Sequence, residues 1–223
     1  MALPWSLLLE LALYASCFVC GIITAASVTI TQGALNGKCV LYGSVEYNGS
    51  AQIINVGSYS PLSLCYFVSA ISVCVAIFCF SLSLYWIYTI CMEGEVQRER
   101  LWMNVTLCVC GVFLFFLLIT GCILKIGLDK LCESLQQKVT NLTRCSDAET
   151  KKWASSYDGS EFYTRLQSAQ TSVWVNFFCW IIIGILLIFQ RRQGNSEFRS
   201  GGEDVGASPS ETEPFFHRPG QTK

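Results

Sequence analysis

Histidine, proline and internal charge are the scarcities that shape this 223-residue chain. Its one histidine, His217, stands in a polar tail, so a histidine-based metal site or a nucleophile and base pair cannot be assembled in the folded part. Charged residues make up 14% of the chain, the formal net charge is −1, and no basic block occurs anywhere. The electrostatic footprint of a nucleic-acid binder is therefore missing, and nucleic acid is set aside as a partner. None of the five prolines interrupts a long apolar stretch, which argues against the discontinuous helices that build transporter sites. Those stretches also hold no Lys, Arg, Asp or His, the costly groups that ion-coupled transporters and pumps keep at membrane depth. No fixed-period repeat points to a solenoid or propeller, and no pattern implies a cofactor.

What the chain has in quantity is apolar surface, with 52% hydrophobic residues. Four stretches, at about 7–30, 64–91, 101–124 and 171–189, each exceed the roughly 18 apolar residues that span hydrocarbon. Backbone polar groups in lipid must pair within their own segment, so each stretch predicts an α-helix. The fold class is an all-α membrane protein, a four-transmembrane-helix bundle over residues 1–190 followed by a tail at 191–223. A cleavable signal peptide is the other reading of the first stretch, since Ala25-Ala26-Ser27 is acceptable to a signal peptidase. The leader lacks Lys and Arg and the run exceeds the 7–15 residues of a signal core, so a retained anchor is expected. Glu10, about one turn into that stretch, reads as a carboxylate snorkelling to the cytosolic interface rather than as a buried partner of another helix.

Basic residues do not decide orientation, because they occur in the second connection, in the third connection and after the last span. Cysteines and sequons decide it. Of thirteen cysteines, Cys39, Cys65, Cys132 and Cys145 fall in or at the edges of the two longer connections, 31–63 and 125–170, an even set that fits disulfides formed under oxidising conditions. Asn48-Gly49-Ser50 and Asn141-Leu142-Thr143 are glycosylation acceptors in the same two connections. Both loops are thus expected to face the lumen or cell exterior, with both termini cytosolic, in the plasma membrane or a secretory or endosomal vesicle membrane. A third triplet, Asn104-Val105-Thr106, lies too close to the membrane to be reached. Cys91, at the cytosolic boundary, is a candidate for palmitoylation. Four cysteines allow three connectivities; closeness in sequence favours pairing within each loop.

In the first outer loop, Val45-Glu46-Tyr47 and Ala51-Gln52-Ile53-Ile54 flank Asn48-Gly49, which predicts a small β-hairpin with a type I′ turn, extracellular, braced by disulfide and glycosylated at its tip. In the second, Leu124, Leu128, Leu131, Leu135, Val139 and Leu142 extend the third helix beyond the membrane as one apolar stripe. Phe162, Leu166, Ala169 and Val173 form a matching stripe before the fourth span, and the two are expected to pack together. Residues 155–160 read as a turn, with Asp158 or Ser160 as cap of the following helix. Gly21-Ile22-Ile23-Thr24-Ala25 and Ser69-Ala70-Ile71-Ser72 should let helix backbones approach, with Asn104 and Asn176 bonding across helices. Tyr85, Trp86, Tyr88, Trp102 and Trp174 read as interfacial belts. Cys17, Cys20, Cys108 and Cys110, at membrane depth, read as small hydrophobes rather than metal ligands. From Arg191 the composition turns to Gly, Ser, Pro and Glu and predicts disorder, with Ser208-Pro209 and Phe215-Phe216 as short patterns within it.

Glu10-Leu11-Ala12-Leu13, Thr31-Gln32-Gly33, Leu41-Tyr42-Gly43, Asn48-Gly49-Ser50, Ser63-Leu64-Cys65-Tyr66-Phe67-Val68, Trp86-Ile87-Tyr88, Cys122-Ile123-Leu124, Leu131-Cys132 and Trp174-Val175-Asn176 follow one another in an order that resembles the transmembrane protein 179 family, nearest its B branch. The resemblance spans about 10–189 and implies a multi-pass membrane protein; it supplies no catalytic residue. The tetraspanin Cys-Cys-Gly signature and the claudin tryptophan motif of the first loop are both absent. Two roles fit. The leading one is a non-enzymatic organiser or accessory of unidentified membrane protein partners. The alternative is a subunit of an oligomeric channel, a homo-oligomer with Ser69, Ser72, Ser81 and Ser83 lining the pore.

Overall fold

The apolar stretches become four helices: α1 (Trp5–Ala34), α2 (Leu62–Met92), α3 (Arg100–Lys138) and α4 (Phe162–Glu203). They belong to a computed structural model that describes residues 5–92, 100–139 and 142–203, with the backbone alone at 92, 100–102 and 193–203. All four are long and apolar enough to cross a membrane. In lateral order they run α2, α1, α4, α3. α2 and α3 meet lightly, through Phe67–Phe116 and Phe78–Phe113 with ring centroids 6.2 and 5.3 Å apart.

Backbones come close where side chains are small. A Cβ added to Gly21 would sit 2.8 Å from the Ser72 carbonyl oxygen and 3.1 Å from the Ala76 Cβ, so glycine sets the α1–α2 approach, as the small-residue runs predict. Thr29 and Ser69 bond across the same seam at 3.3 Å. Asn176 of α4 donates to the Cys17 carbonyl at 3.4 Å, whereas Asn104 is exposed. The bundle core is aromatic: Trp180, fully buried, packs on Tyr14, Phe78 and Phe113 with centroids 5.1–6.2 Å apart.

α3 has 39 residues, about 58 Å at 1.5 Å per residue, against roughly 30 Å of hydrocarbon. Its excess stands beyond the membrane and carries the stripe from Leu124 to Leu135, continued by Val139 and Leu142, every member buried. Phe162, Leu166, Ala169 and Val173 of α4 are buried in the same core, as expected. At the other end, α4 continues past Arg191 to Glu203, into the segment expected to lack order. Propagating a helix that already exists needs no new nucleus, which offsets the polar composition there. Residues 204–223, with Ser208-Pro209, Phe215-Phe216 and His217, lie outside the described residues.

The connections hold a small sheet. β1 (Cys39–Asn48) and β2 (Ile53–Ser60) form the expected antiparallel hairpin. Its turn differs from expectation. Asn48 pairs with Ile53, so the loop is the four residues from Gly49 to Gln52, with Gln52 at φ 54° and Gly49 not at positive φ. Asn48 Oδ1 accepts hydrogen bonds from the backbone N–H of Ser50 and Ala51 at 3.2 and 3.3 Å, which closes a wider turn than the two-residue type I′ loop. The Asn-Gly pair that does adopt two positive φ values is Asn36-Gly37, at 59° and 74°. It ends α1 in a Schellman motif, Gly37 N–H to the Gln32 carbonyl at 2.8 Å and Asn36 N–H to that of Gly33 at 3.1 Å.

A third strand, β3 (Lys152–Trp153), pairs parallel with Ile53 and Ile54 of β2. The hairpin thus becomes a three-stranded sheet to which both long connections contribute. β1 bulges between Cys39 and Ser44, with Tyr42 at φ 61°, and the bulge pushes Leu41 onto α3 at Gly127. A 3₁₀ helix (Cys145–Thr150) precedes β3.

Candidate functional site

The four loop cysteines and Asn48 gather in this sheet layer at one end of the bundle, whereas Cys91 stands at the other. Cys39 is bonded to Cys65 and Cys132 to Cys145, with Cα atoms 5.9 and 5.3 Å apart. The first bond ties the start of β1 to the first turn of α2; the second ties the extension of α3 to the 3₁₀ helix. The two loops are joined by backbone as well. Ala154 N–H donates to the Ile54 carbonyl at 3.0 Å, and Asp158 N–H to the Ala34 carbonyl at the end of α1 at 2.9 Å. Ser134 Oγ of α3 accepts from Val45 N–H at 3.1 Å, which occupies the outer edge of β1.

The cap of α4 comes from elsewhere in the chain than the sequence suggests. Asp158 accepts from Ser160 N–H at 3.1 Å, a local turn bond that leaves the helix start unserved. Glu149, on the 3₁₀ helix, accepts from Thr164 N–H at 2.8 Å and from its hydroxyl at 3.1 Å. A carboxylate on the third amide of a helix satisfies an orphan donor and meets the positive end of the helix dipole.

Asn48 is exposed at the hairpin tip, and Ser50 Oγ donates to its Oδ1 at 2.6 Å. The amide nitrogen, the atom that carries an N-linked sugar, makes no hydrogen bond among the described residues. Asn141 lies outside the described residues. The Cys91 thiol is exposed at the end of α2.

Two tyrosines span the two loops: Tyr59 Oη and Tyr157 Oη are 2.5 Å apart, and Lys38 Nζ lies 3.9 Å from the Tyr59 ring centroid. The bond to Tyr157 and, after it, the Lys38 ammonium hold the Tyr59 phenol below its ordinary value. The same bond pushes Tyr157 up. Asp158 is held low by its bonds to Ser160.

Within the bundle Glu10 does not snorkel. It is 1% exposed and accepts a hydrogen bond from Gln190 Nε2 of α4. Its place one turn inside α1 faces the α4 seam, and a partner there replaces water more cheaply than bending the side chain out to the surface. Cys17, Cys79 and Cys110 are buried and Cys108 is exposed. Among the described residues no three metal-ligating side chains converge.

The family described as Transmembrane protein 179/179B Claudin domain matches residues 6–216. The chain belongs to the transmembrane protein 179/179B family. Transmembrane protein 179B of Danio rerio is 66% identical over 221 residues, 99% of this chain and 100% of its own. That of Homo sapiens is 36% identical over 199 residues, 89% of each chain. No solved structure matches. Membership makes the chain an integral multi-pass membrane protein. It also carries a claudin likeness that the missing tryptophan motif argues against. The likeness belongs to the 179/179B domain as a whole, so one absent motif does not decide it.

Proposed function

We propose that this chain is a non-enzymatic organiser or accessory of other membrane proteins, and the observation that carries the reading is the fusion of its two long loops into one braced sheet. Two disulfides, the pairing of β2 with β3 and the Ser134 bond to β1 make a rigid platform standing on four lipid-embedded helices. Large apolar side chains such as Ile77, Phe115, Phe178 and Phe189 point outward from those helices, offering lateral contact to lipid and to partner helices alike. In this reading the platform faces the lumen or exterior, Asn48 and Asn141 carry sugar, Cys91 is palmitoylated and both termini are cytosolic. The protein resides in the plasma membrane or in secretory or endosomal vesicles.

The channel alternative draws less support, because Ser69, Ser72 and Ser83 turn toward the packed interior of the bundle and only Ser81 is exposed. Ser72 is buried against α1 and donates to its own helix at Val68, Ser69 bonds to Thr29, and Ser81 and Ser83 donate to Ile77 and Cys79. Purification in nanodiscs, mass determination and conductance after reconstitution separate the two. A monomer or dimer without current is expected. A symmetric ring that conducts overturns the organiser reading, and proximity labelling in native cells names the partners.

A further inference from the structure

Between the outer part of α3, the start of α4 and the 3₁₀ helix lies a pocket of about 560 Å³. Lys125, Asp129, Arg144, Tyr163 and Gln167 line it, over a floor that includes Leu128 and the Cys132–Cys145 disulfide. Its place in the membrane is set by sequence: the apolar run of α3 ends at Leu124 and that of α4 begins at Thr171. Lys125 and Gln167 therefore stand within about a turn of the hydrocarbon boundary, in the headgroup layer.

Two cations and one carboxylate face the pocket. Lys125 is bonded to Asp129 at 3.1 Å. The Arg144 guanidinium and the Tyr163 hydroxyl have no protein partner among the described residues. A fork of guanidinium donors in the same pocket as an ammonium fits a phosphate; Asp129, on the same wall as Lys125, fits a cation. Directly beneath, the seam of α3 and α4 is closed at Gly121, where an added Cβ would lie 3.3 Å from the Trp174 ring. Outside that contact Leu118 and Phe178 are 42% and 57% exposed, an apolar track running down from the pocket into the bilayer.

We infer that this pocket and track bind one zwitterionic phospholipid of the adjoining leaflet, with phosphate on Arg144 and Lys125, the amine near Asp129 and acyl chains along Leu118, Trp174 and Phe178. A soluble phosphate ester would use the pocket and leave the track empty. A lipid without a headgroup would use only the track. The inference rests on the membrane position of the helices and is independent of whether the chain organises partners or conducts.

The full chain in detergent, titrated with phosphatidylcholine and followed by native mass spectrometry, tests it. One tightly held lipid is expected, and Arg144→Ala with Lys125→Ala should weaken its binding about tenfold or more, the scale of losing a charge-assisted hydrogen bond. Intact disulfides on non-reducing mapping verify that the variant is folded. Equal retention by the variant, equal binding of diacylglycerol, or full competition by glycerophosphocholine overturns the inference. Should the variant misfold, photoactivatable phosphatidylcholine on the unaltered chain decides: crosslinks at the peptides of Tyr163–Gln167 and Phe178 support the site, and crosslinks elsewhere only refute it.

Discussion

Gly127 has no side chain because Leu41 fills the place where one would go. An added Cβ would come within 2.9 Å of Leu41 Cβ and Cδ2, and Leu41 is buried with nowhere to move. Gly127→Ala should therefore cost about 1–3 kcal/mol, read as a lower thermal midpoint in detergent, while Gly111→Ala, with nothing within 4 Å, should leave it unchanged or raise it slightly. The requirement is invisible in the sequence, since its cause lies far upstream in a bulge. The tyrosine pair gives a second residue-scale prediction. A lowered phenol adds stability as pH climbs towards its ordinary value of 10.0, and a raised one loses it as pH rises through its own. The Tyr59–Tyr157 contact should thus favour the fold most in the alkaline interval between the two. An absorbance titration should show one phenol ionising ahead of the rest, and Tyr157→Phe should move that step to higher pH.

Helices and stripes could be read directly from the sequence because burial repeats along them at a fixed period. Leu124 to Leu142 and Phe162 to Val173 are buried as expected. Short elements made by distant partners could not be read in that way. β3 is two residues long and exists only because Ile53 and Ile54 offer an edge. Likewise the α4 cap, expected at Asp158 or Ser160, is supplied by Glu149 from 15 residues away. Glu149→Ala should destabilise by about 1 kcal/mol, the cost of a lost cap, and Asp158→Ala by less; thermal unfolding of the two variants side by side checks the order. Of the candidate site, the cysteine set was plain in the sequence, and although four cysteines left three connectivities open, the pairing within each loop that closeness favoured is the one seen. Replacing Cys39 and Cys65 together by serine should remove about 3 kcal/mol, measured against the same unfolding.

At the scale of the whole molecule, orientation follows from where sugar is found. Asn48→Gln should abolish one glycosidase-sensitive increment in gel mobility, and Asn104→Gln should change nothing. A protease added to intact cells should leave the tail untouched; its digestion there would falsify cytosolic termini. The overall plan was legible because lipid imposes length and apolarity on every span. Glu10 escaped because a lone carboxylate near a helix end looks the same whether it meets water or Gln190.

Because Ile53 and Ile54 pair with Lys152 and Trp153, the first half of the polypeptide waits for the last. A ribosome that has delivered only α1, the hairpin and α2 leaves an unpaired strand edge, which invites aggregation and chaperone retention. Completion of β3 is thus the step that closes the edge of β2.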